Sequence, residues 1–134
     1  MSRSALGSSF VLMLLLAGCA KEEDYLDVFR AQRANWHELA DILESIKDDK
    51  SMAEAKTILE DRLKKYEAIS RRASSLPKPP PPEVLQALER DRFVTEGALS
   101  RLKAESKRVS ELPGGMAFLK QFESSKGLLS AVQK

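Results

Sequence analysis

Five of the chain's six prolines fall between Pro77 and Pro82, and that cluster constrains the fold more than any other feature. A proline has no amide proton to give to a helix, and its ring pushes the preceding residue out of helical geometry. The run from Leu76 to Pro82 must therefore break the chain. On both sides of it, apolar residues recur at steps of three and four, the pattern of a helix that buries one face. The break reads as a stiff, polyproline-type connector between two helices, in preference to a ligand for an aromatic groove.

Three long helices and one short one are predicted. The first spans about Glu22 to Lys47, with a stripe of Tyr25, Val28, Phe29, Trp36, Leu39, Ala40, Leu43 and Ile46, interrupted by Gln32. Its acidic first turn and Lys47 at its end suit the helix dipole. Asp48-Asp49-Lys50 reads as the turn. Ser51-Met52-Ala53-Glu54 reads as a capping box that opens a second helix to about Ser75. Pro82 suits the first position of a third helix running to about Glu111, because that position needs no amide proton. Its stripe includes Val84, Leu85, Leu88, Leu99, Leu102 and Val109, diluted by Arg92, Thr95 and Ser106. Leu112-Pro113-Gly114-Gly115 ends it, and Met116 to Glu123 forms a short fourth helix. Ser124 to Lys134 carries Leu128, Leu129 and Val132 among Gly127 and three serines and reads as a tail whose order the sequence does not fix.

The expected fold is all-α: an antiparallel three-helix bundle, or a long helical hairpin plus a third helix, each rod roughly 40 Å long. Glu22 to Asp49 holds nine acids and three bases, whereas Lys50 to Lys78 holds eight bases and four acids. Opposite signs favour pairing of the first two helices, although exposed ion pairs are each worth little. The whole chain has a formal charge of only +2, so nothing argues for a nucleic-acid partner.

Upstream of the helices, Met1-Ser2-Arg3 is a short basic start, and Phe10 to Leu16 is an uninterrupted apolar run. Small residues Ala17 and Gly18 precede Cys19, the one cysteine of the chain. A basic start, a short apolar stretch and small residues make up a secretory signal peptide, whereas a membrane span needs ~20 predominantly apolar residues. Leu16-Ala17-Gly18-Cys19 resembles the lipobox of bacterial lipoproteins, of the small helical type. The resemblance implies that residues 1–18 are removed and that Cys19 is lipidated, with fatty acyl chains such as palmitate. Residues 19–134 then form a lipid-anchored helical domain with its break at 77–82. It also implies a cell-envelope location. Ala20, in place of an aspartate after the cysteine, points to the outer membrane facing the periplasm. The likeness beyond the lipobox carries over no functional residues.

No catalytic, cofactor or metal constellation is legible. His37 has Glu38 and Asp41 nearby, short of the three or four ligands of a zinc site. Asp48-Asp49 lacks the spaced ligands of a calcium loop. Gly114-Gly115 follows no strand and precedes no Lys-Ser/Thr, so it is a turn and not a phosphate cradle. Trp36 and Tyr25 read as core. With a single histidine and no nucleophile elbow, the chain is not expected to be an enzyme. The leading expectation is a non-enzymatic interaction or structural protein of the envelope, partnered by the membrane and by an envelope protein. The first alternative is a hydrophobic-ligand module with a pocket lined by Phe93, Leu99, Phe118 and Phe122. The second is a peptidoglycan tether through Lys134.

Overall fold

The computed structural model describes residues 20–122. Four helices follow in order: α1 (Glu22–Ser45), α2 (Asp49–Ser75), α3 (Pro82–Glu111) and α4 (Gly115–Lys120). No strand occurs among the described residues. The all-α expectation holds, and the helix contacts specify how the rods are arranged. α1 is the central element. α2 packs on one side of it and α3 on another, while α2 and α3 approach each other only marginally.

Side-chain partners fix the directions. Glu38 of α1 meets Arg62 and Lys65 of α2, and Tyr25 meets the segment after α2, so α1 and α2 are antiparallel. Arg33 and Glu44 of α1, and Ile46 just after it, meet Asp91, Arg101 and Arg108 of α3 in the same order, so those two helices run parallel. The path is up, down, up. The core is continuous across α1, α2 and α3, with Leu39, Leu43, Leu59, Leu63, Leu102 and Val109 all buried together. Each fully buried side chain of this size contributes roughly 1.5–3 kcal/mol of transfer free energy.

Asn35 is the polar exception on α1. It is fully buried, and its Nδ2 donates to the Arg62 carbonyl at 3.3 Å. A sliding of α2 along α1 would cost this bond, so Asn35 ties the register of the pair.

Helix boundaries depart from the sequence reading in α1, α2 and α4, the last spanning Gly115–Lys120 against the expected Met116 to Glu123. α1 stops at Ser45, two residues early. Ile46 turns extended (φ −80°, ψ 121°) and is fully buried in the core. Burying that side chain outweighs another half-turn of helix. α2 starts at Asp49 and not at Ser51, because Asp48 is the cap. The Ser51 amide donates to Asp48 Oδ1 at 2.8 Å, and the Asp48 amide donates to Ser51 Oγ at 3.0 Å. The reciprocal box is therefore Asp48 with Ser51, one turn earlier than Ser51 with Glu54. Ser51's amide, then its hydroxyl, hold the Asp48 carboxyl below its usual value. α3 starts as expected, with Pro82 in its first turn.

α4 folds back over the closed end of the bundle. Gly114 takes a left-handed conformation (φ 73°), and the buried α4 side chains Phe118 and Leu119, with Phe122, join the core. Phe118 and Phe122 meet edge to face, with ring centroids 5.2 Å apart.

One link between α1 and α3 has no counterpart in the periodicity. No basic residue sits in the last turn of α1. Arg108 supplies the missing charge from α3: its Nη2 donates to the Leu43 carbonyl at 2.7 Å and its Nη1 to the Ile46 carbonyl at 2.9 Å. Glu105 Oε2 accepts from Arg108 Nε at 2.7 Å and aims the fork. The terminal carbonyls of a helix lack intrahelical donors, so this cap crosses between elements. Arg108→Ala is expected to remove about 2 kcal/mol of stability, the scale of a charged hydrogen-bond pair. Arg108→Lys should recover less than half of that, since a point ammonium cannot bridge both carbonyls. Urea midpoints at unchanged slope would measure both.

Candidate functional site

Cys19, residues 1–18 and residues 123–134 lie outside the described residues, among them Glu123, the expected end of the fourth helix, and Lys134. The site accordingly begins at Ala20. Only Ala20 and Lys21 separate Cys19 from α1. The Lys21 amide donates to Asp24 Oδ2 at 2.8 Å, closing the first turn. Whatever holds Cys19 thus also holds the start of α1 close by.

The other elements at this end follow from the topology. α2 ends and α3 begins beside the start of α1, joined by the proline run. Tyr25 is buried there and donates its hydroxyl to the Pro77 carbonyl at 2.6 Å. Leu76, Pro77 and Pro80 close around Tyr25 and Val28. The connector is strapped to α1 as a packed cap of the bundle end. Tyr25 therefore has the core role its place on the stripe implies, with a hydrogen bond that periodicity cannot reveal.

Above this cap the α1 and α3 halves stand slightly apart. An open groove of about 200 Å³ runs between them, floored by Leu26, Phe29 and Leu88. Arg30, Arg92 and Glu96 stand at its rim. Arg33 Nη1 spans it to Asp91 Oδ2 at 3.3 Å. The cause is in the sequence: Asp91 and Thr95 occupy core-facing steps between Leu88 and Ala98. Polar side chains at those steps reach for water, so the helices do not close. Thr95 was legible as a dilution of the stripe; the part of Asp91, and the groove itself, needed the α1–α3 pairing to be known.

The remaining candidates are placed as follows. His37 is exposed on α1. Of the acids near it, Glu38 pairs with Arg62 at 3.2 Å and Lys65 at 3.1 Å. Asp41 accepts from Arg101 at 2.7 Å, and Glu44 holds the same guanidinium. Asp41, then Glu44, raise the Arg101 pKa above its usual value. Trp36 packs against the core and its Nε1 finds no acceptor among the described residues. Asp48 is a helix cap. Among the described residues no three His, Cys, Asp or Glu side chains gather as a metal site.

The pocket that would mark the alternative ligand module, lined by Phe93, Leu99, Phe118 and Phe122, does not form among the described residues. Phe118 and Phe122 are buried at the α4 end, whereas Phe93 points away from the bundle and is 87% exposed. Half a helical turn separates Phe93 from the core stripe: nine residues from Val84 is about 180° of rotation.

Comparison with protein-family models, with curated proteins and with solved structures finds no match to this chain. The functional reading therefore stands on the residues themselves. No described helix is long and apolar enough to cross a membrane.

Proposed function

We propose that this chain is a lipid-anchored protein of the bacterial cell envelope, held to the membrane through an acylated Cys19 and serving a non-enzymatic interaction or structural role. The observation that carries the reading is the order of residues at the N-terminal side of α1. An apolar run, Phe10 to Leu16, leads into Ala17, Gly18 and Cys19, and α1 starts at Glu22. The small residues leave the bond before Cys19 open to a peptidase, and the thiol is the nucleophile that takes diacylglycerol. Two or more acyl chains give stable anchoring, at about 0.8 kcal/mol per buried CH₂. Because the linker is two residues long, the proline-capped end of the bundle faces the bilayer.

The groove between α1 and α3 does not favour a small-ligand module instead. At about 200 Å³ it is open. Drug-sized ligands occupy clefts or cavities of roughly 300–1,000 Å³.

Mass spectrometry of the membrane-extracted protein is expected to find an acylated Cys19 at the N-terminus, with residues 1–18 gone. Cys19→Ala should retain those residues and lose its fatty acids. Recovery of the wild-type chain unacylated, with Arg3 still attached, would refute the anchor.

A further inference from the structure

Bases and acids are segregated at the proline-capped end of the bundle. From Ala68 to Pro82 the chain holds Arg71, Arg72 and Lys78 and not one acid. All three side chains are exposed. α2 makes its ion pairs earlier, through Lys50, Arg62 and Lys65, and Arg71, Arg72 and Lys78 have no salt-bridge partner among the described residues. The acids at this end stand in the first turns of the other two helices: Glu22, Glu23 and Asp24 on α1, and Glu83 on α3. Arg30 Nη1 holds Glu23 at 3.0 Å, and Asp24 accepts from the Lys21 amide. Pro77, Pro79 and Pro82 are exposed along the connector. Their rings present apolar surface with no amide proton that a dehydrated interface would leave unpaired. The Tyr25–Pro77 hydrogen bond fixes this connector against the first turns of α1. Cys19 precedes Glu22 by three residues, a reach of at most ~11 Å.

We propose that Arg71, Arg72 and Lys78 rest on anionic phospholipid headgroups of the bilayer that holds the anchor, so that the bundle leans on its α2 and connector edge. The proposal rests on the acylated Cys19. Charge selects the edge: an anionic surface attracts the end of α2 and repels the acidic first turns of α1 and α3. Each base brought to such a surface favours the contact about fivefold. Three bases would hold a free domain only weakly. Tethering makes the same contact intramolecular, so modest attraction is enough to set the orientation. The tether also selects the partner, because it brings lipid headgroups within reach of these side chains at all times.

The test uses the acylated full protein in lipid vesicles. Acylation blocks the Cys19 thiol, so Ser75→Cys supplies a single thiol for a fluorophore at the docking edge. Ala117→Cys supplies one at the far end, on α4; both positions are exposed. A nitroxide on the lipid headgroup quenches a fluorophore that lies at the surface. Quenching at position 75 is expected to rise when phosphatidylglycerol is added to phosphatidylcholine vesicles. It should fall back in ~1 M salt, where the screening length is about 3 Å. The label at position 117 should report neither change. Arg71→Gln, Arg72→Gln and Lys78→Gln together should lower the ratio of docked to undocked protein by roughly 100-fold. Circular dichroism and flotation with the vesicles should stay those of the wild type. Quenching at position 75 that is equal in the two lipids, or that the triple variant keeps, would overturn the docking while flotation shows the anchor intact. An equal rise at position 117 would mean that the bundle lies flat, and would overturn it too. Protein that does not float and carries a free Cys19 thiol would remove the anchor, and the docking with it.

Discussion

Gly115→Ala is expected to lower stability by about 3 kcal/mol or more, although it adds one methyl group. A Cβ at this position would stand 1.7 Å from the Val109 carbonyl oxygen and 2.8 Å from its carbon. Both are backbone atoms of α3, so no rotamer change relieves the clash. The Gly115 amide also donates to the Leu112 carbonyl at 2.9 Å, which locks the turn in this close approach. To admit the methyl, α4 must lift away. That exposes Phe118, Leu119 and Phe122, which fill the closed end of the core. Thermal unfolding followed by circular dichroism should show a midpoint lower by ~15 °C, since each kcal/mol moves a domain of this size by ~4–8 °C. Gly114→Ala is the informative comparison. It meets only Asp49 Oδ1 at 3.6 Å, and its φ of 73° carries the ordinary left-handed cost of ~1–2 kcal/mol. If the two substitutions proved equally mild, the packing of α4 against α3 would be wrong.

This pair of glycines marks where sequence reasoning stops. The segment Leu112-Pro113-Gly114-Gly115 identified a turn, because proline and glycine break helices by their own chemistry. Which glycine is indispensable depends on the carbonyl that comes near it, and that carbonyl belongs to the previous turn of a packed neighbour. The same division runs through the chain. Pro82 could be placed in its first turn because its preference is local. The three long helices were legible because a buried face repeats every three to four residues whatever it packs against. Arg108 was not legible as the α1 cap, since nothing within α3 records that Leu43 and Ile46 end their helix beside it. Net charge pointed to α1 with α2, and Glu38 does meet Arg62 and Lys65 there. It was silent about α1 with α3, because Glu83 to Glu111 holds six acids and six bases. Yet Arg33, Asp41, Glu44 and Arg101 all take part in pairs across that boundary. Placement along the rods, not their sums, makes those pairs. Phe93 falls on the legible side: composition counts it with the core aromatics, but its phase, half a turn from Val84, sends it outward.

Leu59→Asp is expected to abolish cooperative folding. Leu59 is fully buried on α2, within the cluster formed by Leu39, Leu43, Leu63 and Leu102. Removing its side chain alone forfeits ~2–5 kcal/mol in transfer and cavity terms. Placing an ionised carboxylate there adds several kcal/mol, because a charge taken out of water into an apolar core loses its solvation. The combined loss reaches the ~5–15 kcal/mol that a domain of this kind has in all. The adjacent residue provides the control. Ile58 is also apolar but half exposed, one step of 100° around the helix, so Ile58→Asp should change stability by no more than about 0.5 kcal/mol. Circular dichroism at 222 nm through a urea titration separates the two. The Ile58 variant should melt with the wild type, while the Leu59 variant should show little helix and no sigmoidal transition. The reverse result, with Ile58→Asp unfolded and Leu59→Asp intact, would mean that α2 is rotated by one residue from the packing described. Asn35 would then no longer reach the Arg62 carbonyl, and the register of the whole α1–α2 pair would have to be redrawn.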